Sequence, residues 1–180
     1  METGIETWVD PQVQFSGRIF TVRSGPIMLD NGEPAYREVV DHPGGVCVLP
    51  FDGTTITLVR QYRIAVGEYV IEAPAGKLEP GDNPERRAAL ELEEEAGLHA
   101  GNLIPMGVVF GCVGFCSERI HLFIATDVTT VGQQLEHEER IELIDLSLPE
   151  VSKLLESNAL TDAKTIVLLQ RFLAWLEASA

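Results

Sequence analysis

No stretch of this sequence reaches the roughly eighteen consecutive apolar residues that a membrane-spanning helix needs. The opening Met1-Glu-Thr-Gly-Ile-Glu-Thr-Trp has neither the basic nor the apolar region of a secretory signal, so the expectation is cytoplasmic residence and no membrane partner. Positive charge is also scarce, with 13 Lys and Arg against 28 Asp and Glu and a net charge of −15. Non-specific nucleic-acid binding depends on cations that neutralise phosphates, so nucleic acid is excluded as a partner. An anionic substrate would need a metal ion or local arginines. Cysteine is rare and odd in number, Cys47, Cys112 and Cys116, which excludes a disulfide framework. Cys112-x3-Cys116 lacks two further ligands at zinc spacing, and no histidine is evidently paired with either thiol as a base.

What is present describes an ordinary globule: 180 residues, 45% apolar and 23% charged, long enough to bury a core. The stretch 76–98 organises it. Pro80, Gly81, Asp82, Asn83 and Pro84 make a turn-rich loop in which Asn83 suits an N-cap and Pro84 the first helical position. A helix should then run to Ala96, with Gly97 free to take the left-handed conformation that closes it. At about 100° per residue, Ala88, Ala89, Leu92 and Ala96 share one side, and Glu91, Glu94 and Glu95 gather on another. Like charges at this spacing repel. One reading is a solvated acidic face. The other is a divalent-cation site, because hard cations such as Mg²⁺ take carboxylate oxygens together with substrate phosphates.

In chain order, residues 1–15 read as irregular, 17–23 as a strand, 24–34 as a hairpin turn carrying Gly-Pro and Asp-Asn-Gly, and 35–41 as the returning strand. Strands follow at 46–51, 54–62 and 68–73, then the loop and helix, then strands at 103–110, 120–125 and 141–146. Helices are expected over 149–157 and 161–178, the latter with apolar residues at 166, 169, 173 and 176. His42 reads as structural, and His121 alternates with apolar neighbours as strand residues do. This order fits an α+β or α/β sandwich with helices on both sides of a mixed sheet.

Written out, the central stretch is Gly76-x5-Asp82-x7-Leu90-Glu91-Leu92-x-Glu94-Glu95-x-Gly97-Leu98, which resembles the box of the Nudix hydrolases, G-x5-E-x7-R-E-U-x-E-E-x-G-U. Asp82 replaces a glutamate. Leu90 replaces the arginine that in the family orients the metal-binding glutamates. Arg87 projects on the flank of Glu91 and Glu94, four and seven residues on, and could supply that ion pair one turn earlier. Arg37, His42-Pro-Gly-Gly, Leu58-Val-Arg-Gln-Tyr-Arg63, Glu72-Ala-Pro-Ala-Gly-Lys and Gly114-Phe-Cys-Ser-Glu-Arg-Ile-His-Leu-Phe extend the resemblance to the ADP-ribose pyrophosphatase branch.

That resemblance implies an α+β fold, a Nudix α/β/α sandwich with a mixed sheet over 43–180, preceded by a small N-terminal antiparallel β element over 1–42, a candidate for swapping in a homodimer. It implies a hydrolase that splits a nucleoside diphosphate sugar with Mg²⁺ or Mn²⁺. Glu91, Glu94, Glu95 and the Ala75 carbonyl match its metal ligands, with Glu94 also a catalytic candidate. Arg37, Arg63, Arg18 and Glu118 match or adjoin substrate-contacting positions, although arginines at such places also form plain surface ion pairs. The resemblance also implies a catalytic base in the acidic loop at 135–141, where Glu136, Glu138, Glu139 and His137 are all open choices. Val113 stands where ADP-ribose enzymes have proline, so GDP-mannose is carried beside ADP-ribose. A different class also stays open: a degenerate domain that binds a nucleotide as a sensor with little turnover.

Overall fold

The structure is a computed structural model that describes residues 5–179. The chain forms two compact units, 1–44 with 110–119, and 45–109 with 120–180. In the first, β1 (Thr7–Trp8), β2 (Gln12–Ser16), β3 (Thr21–Met28) and β4 (Pro34–Asp41) form one antiparallel sheet. β4 lines one edge of β3, and β2 followed by β1 lines the other.

Two expectations change here. Residues 1–15 were expected to be irregular, yet β1 and most of β2 fall within them; residues 1–4 lie outside the described residues. β2 is exposed along its whole length, so no buried face announces it in the sequence. Gly25-Pro26, expected in a turn, lies inside β3. There the neighbouring chain switches from β2 to β1 through Asp10 and Pro11, and a Cβ on residue 25 would stand 2.9 Å from both the Asp10 carbonyl oxygen and Pro11 Cα. Glycine permits the close crossing. The turn itself spans 29–33, closed by the Leu29 N–H donating to the Glu33 carbonyl at 2.9 Å.

The second unit carries β5 (Gly45–Pro50), β6 (Thr55–Arg63), β7 (Glu68–Glu72), β8 (Ala75–Lys77), helix α1 (Pro84–Glu91) and a π-helical turn (Leu92–Ala96). Then come β9 (Leu98–His99), β10 (Asn102–Phe110), β11 (Arg119–Thr126), β12 (Thr129–Thr130), β13 (Ile141–Ser147), α2 (Leu148–Glu156) and α3 (Ala163–Ser179). β5 runs parallel to β11 and antiparallel to β8, so its sheet is mixed. β13, β6 and β7 form a second, antiparallel sheet.

Every residue of β5 is buried, because both faces are covered. Its side chains alternate: Val46 and Val48 pack with Ala88, Leu92 and Ala96, while Cys47 and Leu49 pack with Leu168, Leu169 and Phe172 of α3. Helices therefore cover both faces of the mixed sheet, as the order of elements implied. The expected 84–96 helix is present, with its last five residues widened into the π turn. Such turns concentrate at functional sites.

The N-terminus of α3 clamps the passage from β7 to β8. Asp162 Oδ2 accepts the Thr165 N–H at 3.0 Å as an N-cap and the Thr165 hydroxyl at 2.5 Å. That hydroxyl in turn accepts the Ala73 N–H at 2.8 Å. Lys164 Nζ reaches buried Glu72 at 2.5 Å, and Arg63 holds the same carboxylate through Nε at 2.6 Å and Nη2 at 3.1 Å. Thr165→Val should leave the Ala73 N–H without a partner and lower stability by about 1–3 kcal/mol, read from urea unfolding.

Candidate active site

The loop before α1 is braced by its own polar groups. Asp82 Oδ2 accepts the Glu79 N–H at 2.8 Å, and Asn83 Oδ1 accepts the Arg86 N–H at 3.0 Å, so the helix begins where Pro84 is tolerated. Ala88, Leu92 and Ala96 then bury against β5, and that packing fixes the helix's rotation. The consequence for the acidic flank is decisive. Glu91 and Glu95 are 5% and 4% exposed, so they do not belong to a solvated acidic face. Glu94 keeps 40% of its side chain exposed.

Both buried carboxylates meet β8. A Cβ on Gly76 would lie 1.4 Å from Glu91 Oε1, so the Glu91 side chain occupies the space that glycine leaves. Glu95 Oε2 accepts the Ala75 N–H at 2.9 Å. Ala75, Glu91 and Glu95 are thus brought together. Arg87 donates to Glu91 Oε1 from Nε at 2.8 Å and approaches it with Nη2 at 2.5 Å; the same Nη2 lies 3.7 Å from Glu94 Oε2. Each buried carboxylate therefore has one oxygen held by the protein. Among the described residues, Glu91 Oε2 and Glu95 Oε1 take no protein donor.

The electrostatics follow from burial. Loss of water pushes the Glu91 carboxyl upward, and the adjacent Arg87 guanidinium offsets only part of this. For Glu95, burial dominates over the Ala75 N–H, with Glu91 and Glu139 adding repulsion, and its pKa is pushed up to about 8. Two buried, mutually repelling carboxylates with unclaimed oxygens are chemically suited to a hard divalent cation such as Mg²⁺ or Mn²⁺. Among the described residues, no three His, Cys, Asp or Glu side chains already stand as a metal-binding cluster.

The acidic loop is tied to the same helix end. Gly97 adopts φ 66°, and the π turn's late carbonyls are taken up by the 131–134 segment. The Gln133 side chain donates to the Glu95 carbonyl at 2.7 Å, the Gln134 N–H to Glu94 at 3.0 Å, and the Val131 N–H to Gly97 at 2.8 Å. Further on, Glu136 and Glu139 close a small turn, the Glu139 carboxylate accepting the Glu136 N–H at 2.8 Å. The charge of Glu139 helps to push both the Glu91 and the Glu95 carboxyls upward. Glu136 and Glu138 are exposed.

Two of the three candidate arginines, Arg63 and Arg37, are engaged in ion pairs. Arg63 is held against Glu72 as described, and its charge reaches Glu95. In the N-terminal unit Arg37 pairs with Glu6, Arg18 is exposed, and Glu118 Oε1 lies 3.7 Å from His42 Nδ1. His42 also accepts the Gly44 N–H at 3.1 Å, in keeping with a structural role. Sequence reasoning missed Gln133, Lys164 and Thr165. Asp162-x2-Thr165 is a legible capping pattern, whereas nothing local marks Gln133.

A NUDIX domain model matches residues 41–172. The chain is 36% identical over 159 residues to an ADP-ribose pyrophosphatase of Bacillus subtilis, covering 87% of this chain and 86% of that one. It is 32% identical over 170 residues to a GDP-mannose pyrophosphatase of Salmonella typhimurium, covering 86% and 88%. A crystal structure of an ADP compounds hydrolase shares the fold at a TM-score of 0.88 and 20% identity, covering 100% of this chain and 98% of that one.

Burial of Glu95 has a measurable signature in metal-stripped protein. Its folded pKa, about 8, lies above the ordinary glutamate value of 4.5, so between these values the folded state binds more protons than the unfolded state. This contribution is present at low pH and is lost as pH rises toward 8. Urea midpoints should therefore fall more steeply from about pH 5 to 8 for the wild type than for Glu95→Gln. Identical slopes would contradict the burial.

Proposed function

The chain belongs to the NUDIX domain family, and from that membership we propose that it is a divalent-metal-dependent hydrolase cleaving the pyrophosphate of ADP-ribose or a related nucleoside diphosphate sugar. The observation that carries this reading is the burial of Glu91 and Glu95 against Ala75 and Gly76, with one oxygen of each unclaimed. Glu91, Glu94, Glu95 and the Ala75 carbonyl are the residues that would hold Mg²⁺ or Mn²⁺. The ion supplies neutralisation of the diphosphate charge, which a chain of net charge −15 otherwise lacks.

Glu139 is our choice of general base over Glu136 and Glu138. Its carboxylate takes a proton from water, the water oxygen forms a bond to one phosphorus, and the bridging P–O bond breaks to release nucleoside monophosphate and sugar phosphate. Its charge bears on Glu91 and Glu95, and the loop that carries it is fastened to their helix by Gln133 and Gln134. Arg63 would face the diphosphate, held firm by Glu72. In the N-terminal unit Arg37, Arg18 and Glu118 are the proposed substrate contacts. That unit also exposes Val13, Phe15, Ile19 and Phe20, an apolar set that supports a homodimer.

The similarity to a GDP-mannose pyrophosphatase keeps that sugar beside ADP-ribose. The sensor alternative is less supported, since Glu91, Glu94 and Glu95 are all retained. Incubation with Mg²⁺ and a panel of ADP-ribose, ADP-glucose and GDP-mannose should release nucleoside monophosphate from at least one. Glu139→Gln should slow that release by about 10²–10⁴-fold and Glu136→Gln far less. Binding without turnover across the panel would instead support the sensor.

A further inference from the structure

Position 90 of this chain offers no cation to the acidic flank: Leu90 is 38% exposed and apolar. Glu91 nevertheless lies buried with its Oε1 pressed toward Gly76. Among the described residues, Arg87 is the only basic side chain paired with Glu91 or Glu94. Both of its contacting nitrogens converge on the single oxygen Oε1, at 2.8 and 2.5 Å. This arrangement fixes the torsion of the carboxylate without occupying Oε2.

We propose that Arg87 is the positioning residue of this site, a relocated arginine that sets Glu91 so that Oε2 is left for the cation and that links Glu91 to Glu94. Three features carry the inference. The i,i+4 separation places residues 87 and 91 on one helix face, within reach of each other. Burial makes the guanidinium matter more than in an exposed pair, because a buried carboxylate stripped of its partner has no water to replace it. Arg87 itself keeps only 27% of its side chain exposed, so its own geometry is restrained. A lysine could not reproduce the fork of Nε and Nη2 on one oxygen. Its contacts are to Glu91 and Glu94, and it acts through Glu91.

The proposal rests on the hydrolase reading, and its test separates the two. Arg87→Ala, Arg87→Lys and the double variant R87A/L90R are compared with the wild type for kcat, KM, melting temperature and the electron paramagnetic resonance lineshape of bound Mn²⁺. Loss of a residue that orients a metal ligand typically costs about 10–100-fold in activity or metal affinity, so kcat of R87A should fall by that much with KM little changed. The Mn²⁺ lineshape should broaden. R87K should lie between R87A and wild type, and R87A/L90R, which returns a guanidinium to the flank within i,i+4 reach of Glu94, should regain at least part of both kcat and lineshape.

Unchanged kcat and lineshape in R87A would overturn the proposal. So would a loss in R87A that follows the melting temperature and is not relieved by L90R, since that pattern belongs to a purely structural ion pair. If the wild type hydrolyses nothing in the substrate panel, the hydrolase reading fails, while the Mn²⁺ lineshapes still decide whether Arg87 sets Glu91.

Discussion

The structure turns on one electrostatic constraint, the burial of two carboxylates, Glu91 and Glu95, against the backbone of a short strand. Taking an ionised carboxylate out of water costs several kcal/mol unless something compensates it. Here the compensation is partial: Arg87 for Glu91 and a single N–H of Ala75 for Glu95. What remains is a local excess of negative charge with unclaimed oxygens, the condition in which a divalent cation stabilises the folded state as well as the substrate.

Much of the surrounding architecture serves to hold that excess in place. Ala88, Leu92 and Ala96 press the helix onto β5 and so set which way the glutamates face. Glycine at 76 leaves the space that Glu91 fills. On the far side, the network of Asp162, Lys164, Thr165, Arg63 and Glu72 fixes the chain at Glu72 and Ala73, just ahead of the Ala75 N–H that Glu95 accepts. Gln133 and Gln134 tie the loop bearing Glu139 to the C-terminal carbonyls of the same helical segment. Strand, helix and loop thus converge on one patch of charge from three directions.

The sequence made the helix and its acidic flank legible, since both rest on local periodicity, on Asn83 and Pro84 at one end and on Gly97 at the other. The layered α+β fold was legible for a similar reason, because a fully apolar β5 implies cover on both faces. Burial of Glu91 and Glu95 was not legible from the helix wheel, which shows that carboxylates share a flank but not what lies opposite it. β2 was hidden because it buries nothing, and Gly25-Pro26 read as a turn because the crossing of Asp10 and Pro11 that requires it is a tertiary event. Gln133 was equally invisible: its role depends on a carbonyl 38 residues away.

The account stands on Glu91 and Glu95 acting together as a cation site, and calorimetric titration of metal-stripped protein with Mn²⁺ tests this most directly. Saturable binding in the wild type that disappears in the doubly substituted E91Q/E95Q protein, with the fold intact by circular dichroism, is the result the account predicts. Equal binding in both proteins would contradict it.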